Sequence, residues 1–303
     1  MGMAKEKALT ATRFVFEPEA SPCDSEGRHS RDLRRANELD GATWTRYSIS
    51  VWNDIRKNAQ ELATSHPAMF PSMLVERLID CFTSQEDRSV LDPFMGSGAT
   101  LVGAQNRGKA GIGFEISEKF IASAKAVLKQ GGLFTEKAEP LIIQDDARNL
   151  LHHLEPGSVD LCVTSPPYWD ILNQKRTADY KPIRDYGDAS NDLGKIPSYE
   201  EFIGELGVVF SGVLKVLKPG RYCIINVMDL RKKARFYSFH SDLASHLAGL
   251  GWIYDDVIIW DRRQEYNNLR PLGYPAVFRI NKVHEYLLIF RKPASDQREL
   301  SRP

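Results

Sequence analysis

The feature that most constrains this chain is a regular alternation of short apolar runs and amphipathic stretches between residues 89 and 163. Ser89-Val90-Leu91 predicts a strand and 98–107 a helix ended by Gly108. Ala110 to Phe114 predicts a strand and Ser117 to Gln130 a helix closed by Gly131-Gly132. Leu141-Ile142-Ile143 predicts a strand, 147–154 a short helix, and Val159 to Val163 a fourth strand. Strands separated by helix-length segments pair in parallel, with the helices crossing over the sheet faces. The expected fold class is therefore α/β, a doubly wound, mostly parallel sheet. Further on, 198–217 predicts a helix capped by Ser198, and Pro219-Gly220 turns into a strand from Tyr222 to Val227. A helix from Ser241 to Leu250 leads to the strands Ile253–Trp260 and Glu285–Arg291. No helix separates those two, so they are expected to form an antiparallel pair at one edge.

Upstream, residues 1–43 read as a flexible polar arm. Trp44 to Trp52 alternates aromatic and polar residues, as a short strand or an ordered loop would. Residues 53–63 predict a helix stopped by His66-Pro67, and Pro71 opens a second one with Met73, Leu74, Leu78, Ile79 and Phe82 at helical spacing. The expected organisation is the arm 1–43, one domain over 44–292 with insertions at about 170–198 and 261–282, and a tail at 293–303.

Composition excludes several classes. Apolar runs such as Val257-Ile258-Ile259-Trp260 are too short to cross a bilayer, and Met1 to Lys7 has no signal-like apolar run. Cys23, Cys81, Cys162 and Cys223 are widely spaced with no Cys-x-x-Cys pair, which argues against a zinc site or a disulfide framework. No metal is expected, and a reducing, cytoplasmic setting is. The 40 basic and 40 acidic residues cancel, so the chain is not generally adhesive to polyanions. The charge is segregated, however. Arg231, Lys232, Lys233 and Arg235 cluster, as do Arg262, Arg263, Arg270, Arg279 and Lys282; each group is either solvated surface or a phosphate-contacting patch.

Two loops carry the chemistry. In the first, Asp92 follows a strand, Thr100 begins a helix, and Gly96 and Gly98 lie between them. The glycines allow close backbone approach, and helix N-terminal amides face whatever binds there. Glu115 ends the next strand, where an acid can accept from both ribose hydroxyls, and Asp145-Asp146 ends the one after, where a carboxylate can take an adenine amino group. Capping or solvated carboxylates are the alternative for each alone. A dinucleotide fingerprint fails because position 101 is Leu, and no Gly-Lys-Ser/Thr is present. Asp92 would also repel a pyrophosphate, whereas a sulfonium cofactor bearing an amino group tolerates it. The second loop, Ser165-Pro166-Pro167-Tyr168, offers a hydroxyl and a carbonyl as acceptors. Its prolines add no competing N–H, and an aromatic face stands next to them. Acceptors placed off a base plane draw the lone pair of an exocyclic amino group out of conjugation. Trp169 widens the platform, and Cys162 reads as core packing.

Together these runs resemble the N4-cytosine and N6-adenine amino DNA methyltransferases, over about residues 44–292. His66-Pro67-Ala68-Met69-Phe70-Pro71 is similar to the family motif at the methionine end of the cofactor. Asp92 to Thr100 matches Asp-Pro-Phe-x-Gly-Ser-Gly-x-Thr, and Gly111 to Glu115 matches the ribose-binding strand. Val216 to Gly220 and His284 to Phe290 resemble the later structural motifs. Here the cofactor loop precedes the catalytic loop, the reverse of many relatives. The resemblance implies a Rossmann-like fold and S-adenosylmethionine as cofactor. Pro67, Phe70, Asp92, Phe94, Gly96, Ser97, Gly98, Thr100, Glu115 and Asp146 would bind it, with Ser165, Pro166, Pro167 and Tyr168 as the catalytic loop. It implies double-stranded DNA as partner, with the target base flipped out of the helix, and it admits a second copy of the chain or a cognate restriction endonuclease. A bacterial, archaeal or phage-encoded setting follows. Ser at the first loop position goes mostly with cytosine N4, and Asp or Asn with adenine N6. The expected reaction is therefore N4-cytosine methylation, with N6-adenine as the alternative. RNA guanine-N2 methyltransferases, which usually carry Asp or Asn before Pro-Pro-Tyr, and an inactive binding module of the same fold are more remote readings. DNA contact is expected from 170–198 and 261–282, with Arg262 and Arg263 foremost, or from 229–240 or the arm.

Overall fold

A computed structural model describes residues 36–58, 61, 71–130, 139–169, 192–265, 271–272 and 274–294. Each predicted strand of the alternation forms: β2 (Ser89–Asp92), β3 (Ala110–Phe114), β4 (Leu141–Ile143) and β5 (Val159–Thr164). Helices α3 (Ala99–Asn106) and α4 (Glu118–Gln130) and a 3-10 turn at Ala147–His152 connect them. The chain continues through α5 (Tyr199–Val216), β6 (Leu217–Val227), α6 (Phe239–Gly249), β9 (Ile253–Asp261) and β10 (His284–Arg291). Ser198 caps α5 as expected, its Oγ accepting from Glu201 N at 3.2 Å. Strand β6 starts earlier than predicted, with Pro219-Gly220 inside it, and the register between β5 and β6 shifts at Val159/Leu161 to absorb the irregularity.

The sheet has eight strands. With β1 (Val51–Trp52) at one end, its order is β1-β9-β10-β6-β5-β2-β3-β4. Strand β10 runs antiparallel to both neighbours, and every other pairing is parallel. The antiparallel pair thus lies toward the predicted side, with two-residue β1 added outside it. Chain order reverses between β2 and β5, so the loops after those strands diverge and open a crevice at the carboxyl edge. One face buries Phe202, Phe210 and Phe239 of α5 and α6 against Leu91, Ile112 and Cys223. The other buries Leu74, Val75 and Leu78 of α2 (Ser72–Phe82) against Val90, Leu161, Ile224 and Trp260. Cys162 and Cys223 are buried free thiols on adjacent strands, and burial holds the Cys162 thiol well above its ordinary range. Among the described residues no helix is long and apolar enough to cross a membrane, and no cluster of side chains could hold a metal.

The N-terminal expectations need revision. Trp44 lies in helix α1 (Gly41–Tyr47) rather than in a strand or loop, because Asp40 caps it by accepting from Thr43 N at 2.9 Å. Of the expected helix 53–63, residues 53–58 are not helical and Glu61 is, and the others lie outside the described residues. Trp52 and Ile55 are drawn into the core, and the Arg77 guanidinium grips Asp54 at 2.7 and 2.8 Å, which fixes an extended path. A two-stranded hairpin, β7 (Leu230–Lys232) with β8 (Arg235–Tyr237), was not predicted at all.

Candidate active site

The turn after β2 is shaped by two residues with left-handed backbone, Gly96 (φ 52°) and Gly98 (φ 87°). At Gly98 a Cβ would also stand 3.0 Å from the Ala124 side chain, so only glycine brings α3 this close to α4. Beneath the turn lies Asp92, 1% exposed. Its carboxylate accepts from Phe94 N at 2.9 Å, from Thr164 Oγ1 at 2.6 Å and from Thr100 Oγ1 at 2.6 Å. One buried acid therefore joins the end of β2, the start of α3 and the end of β5. Burial raises the Asp92 carboxyl to about 6 against the pull of those three donors.

Above this joint opens a cleft. The turn contributes Phe94, Gly96 and Ser97; the ends of β3 and β4 contribute Phe114, Glu115, Asp145 and Asp146; the loop after β5 contributes Ser165, Pro166, Pro167 and Tyr168. Ile116, Phe120 and Leu193 add apolar walls. Glu115 accepts from Gly96 N at 3.1 Å and Ser117 N at 2.8 Å, and burial raises its carboxyl above the ordinary range. A carboxylate offers about four lone-pair directions, so the pair facing the cleft can still accept. Asp146 caps the 3-10 turn through Arg148 N at 2.9 Å and holds the Arg148 guanidinium at 2.6 Å.

On the other wall, Ser165 Oγ lies 3.4 Å from Tyr168 Oη, which donates to Glu285 at 3.4 Å. Glu285, on β10 and 5% exposed, also takes Asn226 Nδ2 at 2.5 Å and ion-pairs with Arg262. Register explains this convergence. Thr164 pairs with Ile225, and Asn226 with Leu287, so Ser165, Asn226 and Glu285 emerge side by side at the sheet end.

The cleft thus brings together Phe94, Gly96, Ser97, Glu115 and Asp146 from the predicted cofactor set, and Ser165, Pro166, Pro167 and Tyr168 from the predicted catalytic loop. Asp92, Gly98 and Thr100 do not line it: they hold the turn from below, where Asp92 and Thr100 bond each other and Gly98 permits the bend. Pro67 and Phe70 lie outside the described residues. Trp169 does not extend the platform either. It is 4% exposed and turns away, its indole N–H donating to Ile196 O at 2.7 Å and its ring packing edge-on against Tyr199 and Tyr237. Arg262 points inward to Glu285 and Glu265 rather than out toward a partner, and Arg263 is paired with Asp261. Sequence reasoning missed Ile116, Phe120 and Leu193, whose apolar character gave no sign of a ligand wall, and Glu285, which reads as an ordinary strand acid.

The family model described as DNA methylase matches residues 13–126 and 159–300, most of the chain. The type II methyltransferase M.MwoI of Methanothermobacter wolfeii is 29% identical over 157 residues, 50% of this chain and 20% of that protein. The type II methyltransferase M.ScaI of Streptomyces caespitosus is 45% identical over 58 residues, 19% of each. The match therefore spans about a fifth of the length of these two relatives. A Thermus thermophilus protein described as a DNA modification methylase, solved in complex with S-adenosyl-L-methionine, is 30% identical, covering 52% of this chain and 60% of that one, with a TM-score of 0.36. On the extent of the family match, the chain belongs to the DNA methylase family.

Proposed function

We propose that this chain methylates the exocyclic N4 of a cytosine flipped out of double-stranded DNA. The observation that carries the reading is the meeting, in one cleft, of a glycine turn flanked by Glu115 and Asp146 with the Ser165-Pro166-Pro167-Tyr168 loop. The residues present fit S-adenosylmethionine. Glu115 keeps acceptor capacity for ribose hydroxyls, Phe114, Ile116 and Phe120 offer apolar walls for an adenine ring, and Asp146 adds a carboxylate to the same cleft that would accept from its amino group. When bound, the cofactor supplies an electrophilic methyl group.

The chain's own residues then act on the nitrogen. Ser165 Oγ and the Pro166 carbonyl accept the two amino hydrogens. They favour the tetrahedral nitrogen over the planar one, an effect that grows toward the transition state. Tyr168 gives the base a ring face, worth on the order of 1–3 kcal/mol, and its hydroxyl is tied to Glu285. No covalent enzyme intermediate is needed, and Cys162 is buried in the sheet. Ser165 at the first loop position supports cytosine over adenine. The type II character of the relatives makes a cognate endonuclease a partner worth testing. Mass spectrometry of nucleosides from DNA of a host expressing the protein tests the reading. N4-methylcytosine is expected; N6-methyladenine would overturn the base assignment alone, and methylated RNA beside unmodified DNA would overturn the whole proposal.

A further inference from the structure

Strand β6 runs parallel to β5 and ends at Val227 on the sheet edge where β5 delivers Ser165. There the chain turns into the β7–β8 hairpin. Its eight residues, Leu230 to Tyr237, hold Arg231, Lys232, Lys233 and Arg235 and no acid. Two more cations join from the segment before β10: Arg279 donates to the Lys233 carbonyl at 3.2 Å, and Lys282 Nζ lies 4.6 Å from the centre of the Phe236 ring. Arg231 and Arg235 lie over Phe236 and Tyr237 at 5.5 and 4.7 Å.

These cations differ from the arginines that are held in ion pairs. Arg77, Arg107, Arg148, Arg262 and Arg263 are each engaged by a carboxylate. Among the described residues, the contacts of Arg231, Arg235, Arg279 and Lys282 are to rings and main-chain carbonyls instead. Exposed rings are interleaved with them, Phe236 at 40% and Phe278 at 90% exposure. Glu200 lies near Lys233 and Arg235, yet among the described residues no carboxylate is at ion-pair distance from Arg231, Arg235, Arg279 or Lys282, and a basic, ring-bearing surface of this kind complements a phosphate backbone.

The hairpin is also seated on the catalytic loop. Lys232 Nζ stands 3.8 Å from the Trp169 ring centre, and Trp169 packs on Tyr237 at 5.2 Å. Trp169 directly follows Tyr168 and has a left-handed backbone, φ 45°. That is an uncommon conformation for a bulky residue, and here the surrounding rings hold it. We infer that the β7–β8 hairpin, with Arg279 and Lys282, receives the phosphate backbone of double-stranded DNA and, through Trp169, sets its position relative to Tyr168. This rests on the DNA methyltransferase reading above. Contacts of this kind fix register and orientation without reading sequence.

The test compares wild type with a triple variant, Arg231→Gln, Lys233→Gln and Arg235→Gln, binding a labelled short duplex of randomised sequence. Salt is varied from about 0.05 to 0.2 M. A control variant, Lys125→Gln with Lys129→Gln, removes exposed charge from the half of α4 that runs back toward the opposite sheet edge. Three lost phosphate contacts should lower the slope of log affinity against log salt by about 2–3 and weaken binding at 0.1 M salt by roughly tenfold or more. S-adenosylmethionine affinity should stay at the wild-type value. An unchanged slope, or an equal loss in the control, overturns the inference, as does preferential displacement of the labelled DNA by duplex RNA. If the triple variant loses cofactor binding, Lys233→Gln at the hairpin tip decides alone, with a slope change of about 1 expected. Nucleoside analysis of wild type separates the two proposals. DNA methylated at N4 with an unchanged slope refutes the hairpin only, whereas unmethylated DNA refutes the enzymatic reading.

Discussion

Neutralising Asp92 tests whether the joint under the two loops is held at the cost of a buried charge. The carboxyl is 1% exposed, so solvent screening gives no relief, and its pKa stands at about 6 against an ordinary 3.8. That difference corresponds to about 3 kcal/mol. The sign follows from proton binding. Between pH 4 and 6 the folded protein holds this proton more tightly than the unfolded chain. The Asp92 contribution to stability is therefore greatest below the unfolded pKa, falls as pH rises through that window, and is level above it. Asp92→Asn keeps the shape and cannot ionise. Its amide replaces one acceptor oxygen, and the facing threonine hydroxyl can turn to receive it, so the pH-independent offset should be about 1 kcal/mol. Urea unfolding of both proteins from pH 4 to pH 7.5, followed by circular dichroism, measures the difference between them. The variant should gain on wild type by about 3 kcal/mol across the window. Glu115 is also raised, but it titrates in both proteins and cancels in the difference. A difference that stays flat with pH would refute the reasoning: it would mean that the three donors offset burial fully and that the carboxylate is charged at no penalty.

Further changes separate the parts of the site. Gly98→Ala should destabilise the fold by about 1–2 kcal/mol in thermal or urea unfolding, since a side chain at φ 87° is strained and its Cβ meets Ala124 at 3.0 Å. Glu115→Ala removes the acceptor that holds Gly96 N and Ser117 N; calorimetry should show S-adenosylmethionine affinity down by roughly tenfold to a hundredfold. Glu285→Ala and Tyr168→Phe each cut the hydroxyl's tie to β10, so in a double-mutant cycle on kcat their effects should be less than additive, and full additivity would show that the contact carries nothing. Ser165→Ala should lower kcat by roughly 10²-fold while cofactor affinity holds, as expected for an acceptor that acts mainly in the transition state.

The parallel core was legible because its signals are local. Apolar runs such as Leu141–Ile143 and Val159–Thr164 sit between helix-length segments, and Ser198 announces its own helix. The two loops were legible because glycine and proline mark them in the sequence. What failed was decided by distant partners. Asp54 is pulled off a helical path by Arg77, 23 positions away, and Trp169 is buried by Tyr199 and Tyr237. The hairpin at 230–237 was hidden because its strands are three residues each, too short to show an alternation of apolar and polar residues. Glu285 lies 117 positions from Tyr168, and nothing near it in the chain names that contact.

The acids at the carboxyl edge divide into two kinds, and the division bears on how such a site would work. Glu115 and Asp146 line the cleft. Asp92 and Glu285 are buried beneath the loops, one joining the glycine turn to β5 through Thr100 and Thr164, the other holding Tyr168 with Asn226 and Arg262. In the bare sequence Asp92 looks like a ligand contact and Glu285 like an ordinary strand acid, yet here both fix the loops that border the cleft. The acceptors proposed for the amino nitrogen, Ser165 Oγ and the Pro166 carbonyl, are neutral and weak one by one. Their effect on a transition state depends on standing in place before the base arrives, because donors or acceptors that must reorganise during the reaction lose much of their value. Glu285 supplies that order to the Tyr168 loop from below, which is why truncating it to Ala should appear as lost stability and lost kcat rather than as lost cofactor affinity, whereas truncating Asp92 should cost cofactor affinity as well, because Asp92 also holds the glycine turn.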